Sequence, residues 1–378
     1  MKTNNFWISI LALTIVFGCN DEEDTDINPT SDPNVSHYKG TQAPGDIWDW
    51  VLDYNHMTFS TTWDHGTFDD TSDDIAVEGT FITLPSGYLK CTINKSTPSN
   101  GDIPEDGSAY FFAMNLPNMT MIIKPEGSIK GDLIAAVATG ECNDVPGDYN
   151  YIMVAPGNME AYDPVTEEAY GVASFVDNGN GFAISGEGYS LDCANEGVCT
   201  STSTIQGLPV AECQDNGAIK IMSDGATAIE GQFTGAGVMM IDRGEGNGGV
   251  LAVQQSGAYE FNDLVDADMV GFAYMPANEE ETIVPVHLVF KDEGNVILGK
   301  ASKINDIVTG ELEAKEPVSI RVDAINNGLL DGDITHSDGL GTNFVAAMLE
   351  SEGEKMLILS STSTNGDPFI LITVTKRD

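Results

Sequence analysis

The sequence predicts an all-β protein: two or three antiparallel modules of sandwich or barrel type behind a disordered N-terminal tether. Three observations predict it. From Ile47 onward, apolar and polar residues alternate with a period of two. Clusters of Gly, Asn, Asp and Pro break these runs at roughly the 8–12-residue spacing of small β domains. No segment shows sustained apolar i, i+3, i+4 spacing behind a helix cap.

The elements follow in order. Trp48, Trp50, Leu52 and Tyr54 share one face, with Asp49 and Asp53 on the other. Asn55-His56 makes a turn, and Met57, Phe59, Thr61 and Trp63 alternate again, so this is a hairpin. Trp48 and Trp50 are expected to face the core of the first sheet, because one buried face of an antiparallel sheet has this pattern; the alternative is an aromatic platform that stacks on sugars or peptides. Val77, Gly79 and Phe81 lead through Pro85-Ser86-Gly87 to Leu89, Cys91 and Ile93. Val286 to Phe290, Lys291-Asp292-Glu293-Gly294, and Val296 to Leu298 form another hairpin. Phe344 to Leu349 and Met356 to Leu359 form a third, turning through Glu350-Ser351-Glu352-Gly353-Glu354. Asp132 to Ala138 fits a buried strand or a helical turn. Polar stretches near Cys142–Tyr149 and Ser256–Tyr259 divide the body into modules 45–142, 143–256 and 257–378. The alternative is two larger sheets sharing one elongated core. The modules share a strand–turn–strand rhythm but no repeat that the sequence establishes.

Composition bounds the function. Of 378 residues, 41% are hydrophobic, enough to exclude a fully disordered chain. Against 59 Asp and Glu stand only 16 Lys and Arg, a formal charge of −43. Such a polyanion repels phosphate backbones, so nucleic acid is excluded as a partner, as is docking on an anionic membrane through a basic patch.

The N-terminus reads as an address. Lys2 precedes an apolar run from Phe6 to Phe17, too short to span a bilayer. The run ends in Val16-Phe17-Gly18-Cys19, which resembles the lipobox of bacterial lipoproteins. The resemblance implies residues 1–18 as a signal peptide, cleavage after Gly18, and lipid attachment at Cys19. Acyl chains anchor at about 0.8 kcal/mol per buried CH₂. The acidic run Asn20 to Asp26 is similar to the surface-export signal of Bacteroidetes lipoproteins. It implies an outer-membrane lipoprotein, with surface display preferred over a periplasm-facing anchor. Residues 19–44 are polar and acidic and are expected to form a disordered tether. The body, with Trp48-Asp49-Trp50 opening and Trp63-Asp64-His65-Gly66-Thr67 closing the first hairpin, resembles uncharacterised multi-domain all-β bacterial lipoproteins. Those carry no established activity to transfer.

With Cys19 assigned to lipid, five cysteines remain in an oxidising compartment. Cys142, Cys193, Cys199 and Cys213 surround the middle module and allow three pairing schemes. The favoured scheme is Cys193–Cys199 with Cys142–Cys213. Cys91 alternates with Leu89 and Ile93 and reads as a small buried hydrophobe. The cysteine spacings do not suit a zinc site.

No constellation carries chemistry by itself. Gly244-Glu245-Gly246-Asn247-Gly248-Gly249 matches G-x-G-x-x-G but leads into another strand, so it reads as a hairpin turn. Asp69, Asp70, Asp73 and Asp74 are weak calcium candidates whose spacing departs from the EF-hand loop. Asp331-Gly332-Asp333 is similarly incomplete, and otherwise no cofactor is implied. His56 and His65 flank one strand without a third spaced ligand. Serine-nucleophile signatures are absent. Acidic residues are too numerous for any one pair to mark a glycosidase.

The reading is therefore a lipid-anchored envelope protein that presents β modules for binding or assembly, without evident catalysis. Its partners would be the membrane, through the N-terminal lipid, and an envelope protein or a glycan. The alternatives are a secreted glycan hydrolase with paired carboxylates and a calcium-stiffened adhesin. In a bacterial host fed radiolabelled fatty acid, the wild-type chain is expected to take up label and Cys19→Ala to lose it. Equal labelling of the two would remove the anchor.

Overall fold

In the computed structural model, the described residues are 34–42, 47–64, 74–97, 103, 107–116, 119–127, 133–140, 142, 145–155, 162–177, 179, 181–192, 201, 203–205, 211–213, 217–223, 226–242, 249–255, 263–275, 282–293, 296–315, 317–336, 339–351, 353–363 and 365–377. All the regular elements among them are strands, and neighbouring strands pair antiparallel.

The first eight strands are β1 (Val35–Gln42), β2 (Ile47–Asp53), β3 (Thr58–Asp64), β4 (Ile75–Thr83), β5 (Leu89–Thr97), β6 (Ala109–Leu116), β7 (Thr120–Gly127) and β8 (Ile134–Ala138). They pair in chain order, and β8 returns to β1 to close barrel 1. Closure leaves no edge to pair with another chain.

Barrel 2 follows with β9 (Gly147–Ala155), β10 (Tyr170–Asp177), β11 (Phe182–Tyr189), β12 (Ser203–Ile205), β13 (Ala211–Cys213), β14 (Ala218–Ser223), β15 (Ala226–Thr234), β16 (Val238–Asp242) and β17 (Gly249–Gln254). Its fourth position is split. β12 pairs with Gly186–Gly188 of β11, while β13 meets β11 at Phe182 and continues to β14. The ring of pairings closes through β17 and β9.

Barrel 3 repeats this plan with β18 (Asp268–Tyr274), β19 (Ile283–Asp292), β20 (Ile297–Asp306), β21 (Glu311–Leu312), β22 (Val318–Asn326), β23 (Leu329–Thr335), β24 (Gly341–Ser351), β25 (Glu354–Thr362) and β26 (Pro368–Thr375). β21 and β22 share β20 as β12 and β13 share β11, and β26 pairs back to β18.

Strand faces explain the sequence pattern. β4 is buried at alternate positions only: Ile75, Val77, Gly79 and Phe81 lie on the face turned into barrel 1, and Ala76, Glu78 and Thr80 meet solvent. β26 is buried at seven successive positions. Phe369 and Leu371 fill barrel 3, while Ile370, Ile372 and Val374 point outward into a different cluster. That cluster draws on all three barrels. It takes Phe112, Met114 and Val137 from barrel 1, Ile152, Met240 and Leu251 from barrel 2, and Phe272, Val345 and Ile358 from barrel 3. In barrels 2 and 3 the contributors are mainly the first strand and the last two or three strands; in barrel 1 they are β6, β7 and β8, with Leu84 and Tyr88 between β4 and β5. Strands buried on both faces read as continuous apolar runs, which is why β8 and β24–β26 lose the alternation that marks β4. Each fully buried Leu, Ile or Phe here contributes about 1.5–3 kcal/mol.

Polar contacts fix the barrels in register. The Tyr88 hydroxyl, fully buried between β4 and β5, donates to the Gly271 carbonyl at 2.6 Å, and its ring meets Phe272 at 5.3 Å. Thr41 Oγ1 of β1 donates to Asp242 Oδ2 of β16 at 2.5 Å, and Lys39 Nζ lies 3.2 Å from Glu230 Oε2. Asn150 Nδ2 of barrel 2 donates to the Asn327 carbonyl of barrel 3 at 2.7 Å. Pro33–Asp378 accordingly forms one compact unit.

The connections between barrels also plug them. Val145, just before β9, is fully buried in the interior cluster of barrel 2, and its carbonyl accepts the Tyr149 hydroxyl at 2.7 Å. Leu264, just before β18, is fully buried in barrel 3. A disulfide joins Cys142 of the first connection to Cys213 on β13, closing a loop with a sequence separation of 71. A cross-link of this kind typically stabilises by about 2–4 kcal/mol.

One expectation is corrected. Residues 19–44 were read as a tether, yet Val35–Gln42 is β1, the strand that closes barrel 1. Its inner face is Ser36, Tyr38 and Gly40, and its outer residues Lys39 and Thr41 serve the polar contacts with barrel 2. With one large apolar residue, it carries no visible alternation. The short apolar run before Ala138 is strand β8 rather than a helical turn.

The shared core makes a prediction about coupling. Past residue 19 every tryptophan of the chain lies in barrel 1, so tryptophan emission reports that barrel alone. Phe272→Ala, made in barrel 3, is expected to cost about 3–5 kcal/mol. It should lower the urea midpoint followed by barrel 1 tryptophan emission as well as that followed by far-ultraviolet circular dichroism. An unmoved tryptophan midpoint would show that the barrels unfold independently.

Candidate functional site

Barrel 1 differs from its neighbours in what fills it. Its longer connections follow β3, β5 and β7, at residues 65–74, 98–108 and 128–133, all at one rim. Binding residues concentrate where a rigid scaffold carries long loops. Beneath that rim, Trp48 on β2 stacks on Trp63 of β3 at 5.0 Å with planes 8° apart, directly across the β2–β3 register. Trp50 lies 6.0 Å from Trp48 and 5.6 Å from Phe59, and Phe111 presents its edge to both tryptophans. Gly79 makes room for this packing, since a Cβ there would sit 2.5 Å from the Phe59 ring.

The polar atoms of this cluster stand out. Trp48 and Trp50 are 2% and 1% exposed, and their indole N–H groups are buried without a hydrogen-bond partner. The same holds for the hydroxyl of Thr61, which is 3% exposed and stands opposite Trp50 in the β2–β3 ladder. Leaving such a group unmet costs about 1–3 kcal/mol. In barrel 2, by contrast, the Tyr151 hydroxyl donates to Glu168 Oε1 at 2.8 Å and that of Tyr149 reaches a carbonyl.

The opposite end of barrel 1 is polar and satisfied. Asn115 Nδ2 donates to the hydroxyls of Tyr38, at 3.3 Å, and Tyr54. Burial pushes both phenols above their ordinary value. Cys91 is fully buried in the same interior, and burial pushes its thiol up to about 12.

Two open grooves lie on outer faces. One of about 630 Å³ runs over β2–β5 between Asp53, Ser60, Glu78, Thr80, Asn94 and Lys95. Its charges are largely compensated: Lys95 lies 3.3 Å from Glu78, and His56 lies 2.7 Å from Asp53, whose carboxyl it holds below the usual range. The other, about 430 Å³, lies on barrel 2 between Asp148, Ser174, Ser185, Glu187, Thr204 and Gln255.

The residues singled out in the sequence are placed as follows. Cys19, Cys193, Cys199, His65, Asp69, Asp70 and Asp73 lie outside the described residues, as do positions 244–248 of the glycine-rich run. Gly249 opens β17, paired antiparallel to β16, so that run connects two strands. Asp74 precedes β4 and is partly buried. Among the described residues no group of three or more His, Cys, Asp or Glu is placed to hold a metal ion. Asp333 pairs with Arg321, and burial together with Asp323 pushes Asp331 above the usual carboxyl value. His56 and His287 each face a single carboxylate, Asp53 and Asp268. Trp48 and Trp50 face the core. Sequence reading did not single out Thr61 as polar at an inward position; its place in the alternation between Phe59 and Trp63 was the signal.

No protein-family model matches the chain, and no curated protein matches it. Solved structures that overlap it include the Trp-176-Ala mutant of transferrin binding protein B from Haemophilus parasuis, at 8% identity and a TM-score of 0.25, covering 87% of this chain and 66% of that one. The isotype 1 transferrin binding protein B from serogroup B Neisseria meningitidis overlaps at 9% identity and a TM-score of 0.26, covering 91% and 76%. Likenesses this weak say nothing of what this chain binds.

Cys91 offers a direct check of the barrel 1 interior. Iodoacetamide at pH 8 is expected to leave the Cys91 peptide unmodified in the native chain and to alkylate it in urea, read by mass spectrometry. Modification of Cys91 in the native chain would contradict the closed interior.

Proposed function

We propose that this protein is a lipid-anchored envelope protein, held at the outer membrane through Cys19, whose three barrels serve binding or assembly. The observation that carries this reading is the shared core. Outward faces of strands from all three barrels are buried against one another in one compact unit. What they offer to others is their polar outer faces, with the two open grooves, and their loop-bearing rims. A fixed platform of this kind loses little freedom on binding, which favours affinity. The formal charge of −43 keeps it soluble beside an anionic surface and selects against acidic partners.

Fractionation and cross-linking test the reading together. The wild-type chain is expected in the membrane fraction and Cys19→Ala in the soluble one. A photo-reactive amino acid placed in living cells at Thr80, Ser185 or Arg321, each exposed on a different barrel, is expected to give a discrete adduct with one envelope component, identified by mass spectrometry. Absence of an adduct from all three positions in membrane-held protein would sink the binding reading. Release of glycan fragments by the purified chain would replace it with a hydrolase.

A further inference from the structure

Apart from Glu354 Oε2 at the start of β25, the unpartnered buried polar atoms among the described residues gather in barrel 1. Two indole N–H groups and one hydroxyl, from Trp48, Trp50 and Thr61, sit on neighbouring strands in the rim half of one barrel. The interiors of barrels 2 and 3 contribute none among the described residues. A random scatter of imperfect packing would not gather two donors and a donor–acceptor on one patch of wall. Native interiors pair their buried polar groups, and those left over mark a place where something else supplies the partner. An eight-stranded barrel is wide enough inside for its own side chains or for one small ligand. The rest of this patch is apolar and aromatic, with Trp63, Phe111 and Ile75 around it, and among the described residues no charged side chain is buried inside barrel 1. Trp63 is only partly buried and stands at the rim end of β3.

From this we propose that the rim half of barrel 1 binds a small, flat, neutral and largely apolar molecule bearing a hydrogen-bond acceptor. The acceptor takes the indole N–H groups of Trp48 and Trp50, and the Thr61 hydroxyl turns to serve as donor or acceptor. A lining this rich in aromatic rings favours a flat ligand that can stack on it. Among the described residues no cation lines the patch, which disfavours a carboxylate, and the two N–H donors disfavour an organic cation. The proposal deepens the binding reading above by naming a ligand class for one barrel.

The test uses the chain from residue 20 onward, which contains the whole three-barrel unit and whose tryptophans, excited selectively at 295 nm, are the three of the site. The probes are 9-fluorenone and fluorene, flat molecules of similar size that differ in one carbonyl acceptor. Saturable change of tryptophan emission is expected with 9-fluorenone at one site per chain, with fluorene at least tenfold weaker. Thr61→Val and Trp50→Phe should each bring that ratio toward one. Thr61→Val should melt at or above the wild-type temperature, because it removes an unmet hydroxyl at constant shape, and this shows that the variant is folded. Non-saturable emission changes, equal affinity for the two probes, or a preference that survives both substitutions would each overturn the proposal. No emission change at all would leave ordered water as the only occupant and overturn it too. The cross-linking at outer faces described above does not depend on this ligand, so the two readings fail separately.

Discussion

Burial of both faces of the same strands is the constraint on which the molecule depends. A strand in a closed barrel has one face turned inward. In this chain, the last strands of each barrel and the first strands of barrels 2 and 3 turn their other face to the shared cluster. Residues such as Phe272, Ile358 and Ile372 would be solvent-exposed apolar surface in an isolated barrel, and a patch of that kind invites association. Packing three barrels around one cluster removes it. The polar contacts of Thr41 with Asp242 and of Tyr88 with the Gly271 carbonyl then hold the barrels in one register. Buried hydrogen bonds of this sort add specificity to an attraction that has no direction of its own.

The same arrangement decides what is left for function. The strands in the middle of each barrel keep an alternating pattern and a polar outer face, as β4 does. Long connections are displaced to one rim of barrel 1, while at β9 and β18 the preceding connection folds inward and fills the barrel with Val145 or Leu264. Barrel 1 alone is filled by tryptophan, and it alone keeps indole N–H groups unmet. Stability would favour replacing them with apolar isosteres, so their presence in one confined patch is a local departure from the packing rule.

Much of the fold was legible in particular residues. The hairpins around Trp48 to Trp63, Phe344 to Leu359 and Val286 to Leu298 are strands where alternation and turn residues placed them. β1 was not legible, because Ser36, Tyr38 and Gly40 give its inner face only one large apolar residue. The split fourth strands β12–β13 and β21–β22 were not legible either, being two or three residues long where they begin. The common plan of the barrels leaves a trace that is clear only once the strands are known: Ala43-Pro44-Gly45, Ala155-Pro156-Gly157 and Met275-Pro276-Ala277 each stand at the end of a barrel's first strand.

The sequence by itself determined the strand type, the antiparallel hairpins and the inward direction of Trp48 and Trp50, because a period of two is a property of the local chain and needs no neighbour to express it. It could not determine that the sheets close on themselves, that the continuous apolar runs face two cores, or that Thr61 stands beside two unmet indoles. Closure and the second core are set by strands that meet far apart in the chain, as Tyr38 meets Ala138, and the unmet indoles by what the rest of the barrel fails to bring to them; neither leaves much mark on the residues that take part.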